Sequence, residues 1–175
     1  MKKSVMGIVT NELQAANVVD SLKTAGFFNT DISILMPDQS GVRDMAHEKH
    51  SKAPEGTSTG AGAGAMLGGA LGWLAGIGAL AIPGAGPFIA AGPLMATLGG
   101  IAIGATTGGI AGGLIGLGIP EYEAKQYESK LLEGNILLSV HTENGDELKK
   151  AEQIFKDTGV KDIKTADETP VKKSA

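Results

Sequence analysis

Cysteine is missing from all 175 residues of the chain. Its absence excludes disulfide bonds, thiolate zinc sites, iron–sulfur clusters and a cysteine nucleophile, and it fits a reducing compartment. An excess of positive charge is missing too, because 15 basic residues stand against 19 acidic ones and the formal net charge is −4. A nucleic-acid-binding protein needs a basic face to neutralise phosphates, so we expect no nucleic-acid partner.

Charged residues are also absent from the middle of the chain. All of them lie at or before Glu55, or at or after Glu121. An uncharged stretch of this length is typical of a segment that is inserted in a membrane or otherwise kept away from water. The stretch contains no lysine and no G-x-x-x-x-G-K-[ST] motif, so we expect no nucleotide-phosphate loop.

The first residues, MKKSVMGIVTNEL, do not have the pattern of a signal peptide, because their apolar run is too short. We therefore expect the N-terminus to stay in the cytoplasm. SVMGIVT (4–10) predicts a strand, and the residues that follow predict a helix that ends near Gly26. DISILMPD (31–38) predicts a second strand with alternate apolar residues on one face. Residues 1–45 are thus predicted to form a βαβ unit.

The region after the uncharged stretch repeats this order. NILLSVHT (135–142) predicts a strand, NGDELKKAEQIFKDTG a helix, and DIKTA (162–166) a weaker strand. PEYEAKQYESKLLEG predicts a connecting helix with Ala124, Tyr127 and Leu131 on one face. The connecting helix and the second βαβ unit occupy residues 120–168, and a flexible tail is expected over 169–175.

Both βαβ helices carry the same end signals. Asn11 with Gln14, and Asn144 with Glu147, are pairs that can bond the free N–H groups at a helix start. Each helix then meets a glycine fifteen residues after its asparagine, and glycine adopts the left-handed backbone that ends a helix; these are Gly26 and Gly159.

Two βαβ units of this size usually combine in an α+β, ferredoxin-like fold, which is a four-stranded antiparallel sheet with helices on one face. We predict this fold, interrupted by the uncharged insertion. The alternative is two separate βαβ units that meet only in an oligomer. In the ferredoxin-like fold the two helices should bury six side chains against the sheet: Leu13, Val18, Leu22, Leu148, Ala151 and Phe155.

Glycines recur every four residues in the uncharged stretch. Residues 82–93, IPGAGPFIAAGP, separate two such rows and contain three prolines, so they predict a turn between two helical arms. We therefore predict a glycine-zipper helical hairpin over residues 57–119, joined to the first βαβ unit by a linker over 46–56. The predicted helix-packing residues are Gly60, Gly64, Gly68, Gly72, Gly76, Gly100, Gly104, Gly108, Gly112 and Gly116.

The solvent around this hairpin decides whether it is stable. In water each glycine costs a helix about 1 kcal/mol relative to alanine, whereas in lipid the backbone bonds hold the helix together. Arms of about 22 to 25 residues would reach roughly 33 to 37 Å, enough to cross a bilayer core. We therefore expect a lipid membrane partner, with both termini cytoplasmic and the glycine grooves joining helices. The alternative is a soluble cytoplasmic homo-oligomer with a shared hairpin core.

Three histidines are weak candidates for a metal site: His47, His50 and His141. The first two lie three residues apart, but the spacing is not that of a zinc motif, and a carboxylate such as Glu48 or Glu121 would have to join them. Solvated histidines near a membrane surface explain the pattern more simply. Glu121 and Glu123 have no partner base or nucleophile, so we expect no catalytic residues and no cofactor.

SVMGIVTNELQAANVVDSLKTAGF, HEKHSKAPEG, the glycine-rich hairpin and GIPEYEAKQYE followed by NILLSVHTEN together resemble the bacterial general stress protein 17M-like family. The resemblance implies a stress-associated membrane protein. We therefore predict a non-enzymatic protein of the bacterial inner membrane that self-associates through glycine-zipper helices. The resemblance names no catalytic residues. Related segments resemble a membrane subunit of a quinol-oxidising respiratory complex, so an accessory subunit of such a complex is an alternative.

Overall fold

The computed structural model describes residues 2–38, 70–74, 76–82, 85–93 and 109–167. These residues form one antiparallel sheet with helices on both of its faces, so the α+β class is confirmed. The strands are β1 (Lys3–Val9), β2 (Ile32–Pro37), β3 (Gly78–Ile82), β4 (Gly86–Ala91), β5 (Ile136–Thr142) and β6 (Lys161–Asp167). The helices are α1 (Glu12–Thr24), α2 (Gly109–Gly116), α3 (Glu121–Leu132) and α4 (Gly145–Asp157), and a further helical turn lies at 70–72.

The strand order is β3-β4-β2-β5-β1-β6, and every neighbouring pair is antiparallel. Both predicted βαβ units therefore contribute to one sheet, and the alternative of two separate units is wrong. The predicted number of four strands is also wrong. The sheet has six because β3 and β4 form a hairpin that pairs with the outer edge of β2.

Alternation along the strands divides the apolar side chains between two cores. In β1, Val5 and Val9 belong to the core beneath α1 and α4, whereas Met6 and Ile8 belong to the core beneath α2 and α3. The helices α1 and α4 thus cover the same face, as predicted, and α2 and α3 cover the opposite face. The largest fully buried side chains of the second core include Tyr127, Phe88 and Leu114.

The predicted helix ends are confirmed. The side chain of Asn11 accepts a bond from the backbone N–H of Gln14 at 2.8 Å, and that of Asn144 accepts one from Glu147 at 2.9 Å. The glycines after the two helices have left-handed backbones, with φ +98° at Gly26 and +76° at Gly159. The connecting helix is α3, whose buried residues are the predicted Ala124, Tyr127 and Leu131.

Four of the six side chains predicted to lie beneath α1 and α4 are fully buried: Val18, Leu22, Ala151 and Phe155. Leu148 is half-buried, and Leu13 is 49% exposed, so its predicted burial is wrong. Leu13 precedes Ala15 by two residues, and residues two apart point to different sides of a helix. It therefore lies away from the apolar stripe of α1.

The segment 82–93 is not a turn between helical arms, and that prediction is wrong. It contains the end of β3 and all of β4, and β4 pairs with β2 from Ile34↔Ala91 to Pro37↔Phe88. Between its prolines, the segment places Phe88 and Ala90 on one face of the sheet and Ala91 on the other, which is strand periodicity. Because the segment is paired with the sheet, it does not connect two helical arms as a turn.

Residues 70–74, assigned to the first predicted arm, also pack against the sheet domain. Leu74 is buried in the core beneath α1 and α4, and Lys23 lies 5.3 Å from the ring centre of Trp73. Asn29 donates a side-chain bond to the carbonyl of Trp73 at 3.1 Å. Within the described ranges, none of the helices has both the length and the apolar character needed to cross a membrane. The predicted linker 46–56 and tail 169–175 lie outside the described residues.

Candidate functional site

Four of the ten predicted helix-packing glycines lie in the described residues: Gly72, Gly76, Gly112 and Gly116. The other six lie outside them: Gly60, Gly64, Gly68, Gly100, Gly104 and Gly108. A Cβ atom built on Gly72, Gly76 or Gly116 would meet no described heavy atom within 4 Å. Gly76 has φ +67°, so the first row does not continue through it as a helix. Among the described residues, these three glycines therefore line no helix contact.

The buried face of α2 also differs from the predicted glycine row. Its buried residues are Ile110, Ala111, Gly113 and Leu114. Gly112 is half-buried and lies at the border of the contact with α3. Gly116 is exposed and lies outside that contact. The helix start is fixed by a side chain of α3, because Glu128 accepts a bond from the backbone N–H of Ala111 at 2.8 Å.

The two edges of the sheet differ in charge. The outer strand β3, GALAI, has no charged residue, and no described strand pairs with its outer side. Ala79 on this strand is exposed, and Ile77, the residue that precedes the strand, is 49% exposed. An edge strand without charge, proline or bulge can pair with a strand of another chain. We call residues 76–82 the β3 edge.

The opposite edge strand, β6, has the features that prevent such pairing. Its sequence KDIKTAD alternates charges of both signs, and its pairing with β1 shifts between Met6 and Ile8. At this bulge Asp162 has a left-handed backbone with φ +52°, and Tyr127 donates its hydroxyl proton to the carbonyl of Asp162 at 2.7 Å. Charge and a bulge both oppose association at a sheet edge, so β6 is protected, whereas the described residues give β3 neither form of protection.

Tyr127 makes this bulge sensitive to alkaline pH. Burial, and then the nearby carboxylates of Asp162 and Glu123, raise the pKa of the Tyr127 phenol above its ordinary value. A group whose pKa is raised on folding contributes stability that is complete below its unfolded pKa, about 10 for tyrosine, and that is lost as pH rises further. We expect the free energy of unfolding to fall above about pH 10.

The variant Tyr127→Phe separates this effect from the titration of lysines. At neutral pH its free energy of unfolding should be about 1 kcal/mol lower than that of the wild type, because one hydrogen bond is lost. Its stability should then fall less steeply above about pH 10 than that of the wild type. Urea unfolding at pH 7 to 11 measures both slopes, and equal slopes would contradict the role given to Tyr127.

His141 lines a cavity of about 220 Å³ between the end of α1 and the start of α4. The other polar residues that line it are Asp31, Glu143, Glu147 and Lys150. Of the predicted metal candidates, His47 and His50 lie outside the described residues. Glu121 lies on α3 and pairs with Lys125 at 2.7 Å. Where the structure describes the chain, it brings together no three histidine, aspartate or glutamate side chains that could hold a metal ion.

Two features of the site were missed by the sequence analysis. The β3–β4 hairpin was hidden by its glycines and prolines, although FIAA between them carries strand-forming residues. The cavity was missed because its residues come from parts of the chain that are far apart in sequence. One signal was available: the two matching cap pairs differ at one position, where the first has Gln14 and the second has Glu147.

Comparison of the chain with family models, with curated proteins and with solved structures finds no match.

Proposed function

We propose that the protein is non-catalytic and works by self-association, and that copies meet at the β3 edge and the uncharged surface around it. The observation that carries the proposal is the contrast between the two edges of one sheet. Strand β6 is charged and bulged, whereas β3 has neither charge nor bulge. Two copies of β3 can pair antiparallel about a two-fold axis, because such an interface uses the same patch on both subunits.

A lysine on the β3 edge tests this proposal. Ala79→Lys places a charge at an exposed position of the strand, and charged edge residues oppose strand pairing. We expect the native mass of the full chain to fall toward that of one copy. The matched control is Thr165→Lys, at an exposed position of β6, which should leave the native mass unchanged. An unchanged mass for Ala79→Lys would overturn the proposal.

The period-four glycines allow a second test of self-association. A Cβ atom on Gly72 or Gly116 meets no described atom within 4 Å, so we expect leucine at either position to leave the described sheet domain folded. If the open space is filled by a second copy, Gly72→Leu should reduce the native mass. Ile115→Ala, at a 43% exposed position of α2, removes side-chain volume and is the control, which should leave the native mass unchanged.

A lipid membrane is a second candidate partner, favoured by the stretch from residue 56 to residue 120 that contains no charge. In this proposal the protein acts at the bacterial inner membrane under stress, and its sheet domain stays on the cytoplasmic side. Extraction that needs detergent would support this location, and recovery in buffer alone would support the soluble cytoplasmic assembly. A haem-containing protein that co-purifies would favour the third proposal, an accessory subunit of a quinol-linked respiratory complex.

We also propose that β1, β2, β5 and β6, with α1 and α4, are a ferredoxin-like unit. In support, these strands are neighbours in the order β2-β5-β1-β6 and carry both helices on one face. The β3–β4 hairpin and the helices α2 and α3 are then additions that lie between β2 and β5 in the chain. They cover the second face of the sheet and extend it beyond β2.

A further inference from the structure

Asn144 differs from the other asparagines of the chain in the residue that follows it. The backbone nitrogen of the next residue can attack the side-chain carbonyl carbon of an asparagine, and a side chain on that next residue hinders the attack. Asn144 precedes a glycine, which has no side chain. The other four asparagines precede glutamate, valine, threonine and isoleucine; they are Asn11, Asn17, Asn29 and Asn135.

The surroundings of the peptide bond between Asn144 and Gly145 are open. Both residues are exposed, and a Cβ atom built on Gly145 would meet no described heavy atom within 4 Å. The side-chain oxygen of Asn144 accepts bonds from the N–H groups of Asp146 at 3.1 Å and Glu147 at 2.9 Å. It accepts none from Gly145, so the nitrogen that would attack is not held by the cap.

The cap determines how such an attack can begin. Asn144 has φ −144° and ψ 167°, an extended backbone. A five-membered ring cannot close at this ψ, so the peptide after Asn144 has to rotate while the first turn of α4 opens. Helix ends open more readily than helix interiors, because fewer contacts hold them, and residues 143–146 are all exposed. Glycine at the next position permits the rotated backbone without strain.

Asn11 offers a comparison within the same chain. It caps α1 with nearly the same backbone, φ −153° and ψ 167°, and its oxygen accepts from the N–H of Gln14 at 2.8 Å. Glu12 follows it, so a side chain stands next to the nitrogen that would attack. The two caps therefore have the same backbone and differ in the residue that decides whether the attack is hindered.

We propose that Asn144 is a site of spontaneous deamidation. The nitrogen of Gly145 bonds to Cγ of Asn144, the bond from Cγ to Nδ2 breaks, and ammonia leaves with the proton of the Gly145 N–H. Water then opens the cyclic imide, either at Cγ, which gives aspartate, or at the backbone carbonyl carbon, which gives isoaspartate. Water is consumed and ammonia is released in equal amounts, and no oxidant or reductant takes part.

The two products have opposite effects on α4. Aspartate keeps an oxygen in the capping position and adds a negative charge at the positive end of the helix dipole. Isoaspartate takes Cβ and Cγ into the main chain, so the oxygen that capped Asp146 and Glu147 is no longer on a side chain and the first turn loses its cap. The inference rests on the start of α4 and is independent of self-association.

Incubation of the full-length protein at mildly alkaline pH, followed by peptide mass spectrometry, tests the proposal. We expect the peptide that contains Asn144 to gain the mass that replaces NH2 by OH, several times faster than the peptide that contains Asn11. A methyltransferase specific for isoaspartate should label the Asn144 peptide, because direct hydrolysis would give aspartate alone. Equal rates in the two peptides, or a mass gain at Asn144 without labelling, would overturn the proposal.

The variant Gly145→Ala tests the role of the glycine. Alanine has open space at this position and favours a helix, so α4 should stay folded. We expect the mass gain at Asn144 to slow several-fold, because the methyl group hinders the attack. Gly116→Ala, at an exposed position of α2 that also has open space, is the control and should leave the rate unchanged. An unchanged rate in Gly145→Ala, or equal slowing in both variants, would contradict the assignment.

Discussion

Replacing Phe155 with alanine is expected to lower the free energy of unfolding by about 3 to 5 kcal/mol. Phe155 is fully buried on α4, and its ring lies against β1, where a Cβ atom on Gly7 would be 3.4 Å from Phe155 Cδ2. Truncation removes the ring from a packed site and leaves a cavity under α4. The loss is large because rigid strands on one side and helix α1 on the other limit how far the site can collapse.

Urea unfolding monitored by circular dichroism measures this loss. Lys149→Ala, at an exposed position of the same helix, is the control and should change stability by no more than about 0.5 kcal/mol. A loss below about 1 kcal/mol for Phe155→Ala would mean that α4 is not packed on the sheet as described.

Replacing Gly92 with alanine is expected to lower the free energy of unfolding by about 3 kcal/mol or more. Gly92 follows β4 and has φ +72°, so any side chain there is strained. A Cβ atom would also overlap the carbonyl oxygen of Ile32 at the start of β2, and it would lie 2.9 Å from Ser33 Oγ. The obstruction by Ile32 is backbone, so the clash can be relieved only by moving β4 away from β2, which adds about 1 to 3 kcal/mol to the strain.

Gly86→Ala is the matched control for this variant. Gly86 begins β4 with φ +92°, but a Cβ atom there meets no described atom within 4 Å. It should therefore cost only the left-handed strain of about 1 to 2 kcal/mol. Equal losses for the two variants, measured by urea unfolding, would show that β4 does not lie against β2.

The two βαβ halves could be predicted from sequence because their signals are local. Asparagine caps, helix-ending glycines and alternating apolar residues act within one element, and the structure places all of them as expected. The exception, Leu13, is an apolar residue at the first turn of a helix, where its spacing to Ala15 already places it off the apolar stripe.

The hairpin β3–β4 could not be predicted by the same reasoning, because its position depends on pairing with β2, about fifty residues earlier in the chain. Regular spacing of Gly72 and Gly76 indicated a helix, but glycine spacing carries no side-chain preference that would distinguish a helix from a turn. Gly76 has a left-handed backbone, so the first arm does not continue through Gly76 as a helix. The glycine rows in residues 57–69 and 94–108 remain a prediction.

The site was only partly readable from the sequence for a related reason. His141 was identified as a candidate, but most residues that line the cavity with it come from the end of α1 and the start of α4. Likewise, the uncharged composition of the middle segment indicated a surface kept from water. It could not show that one part of that segment is the edge of a sheet.

Hydrogen exchange of the β3 edge, measured over a range of protein concentrations, tests self-association most directly. Pairing with a second copy gives the outward backbone N–H groups of residues 76–82 a partner, and dilution removes it. We predict that exchange in a peptide covering 76–82 is slow in the concentrated protein and accelerates on dilution, while exchange in β6 does not change. Exchange in β3 at the same rate at every concentration, across the range in which the native mass changes, would contradict the proposed interface.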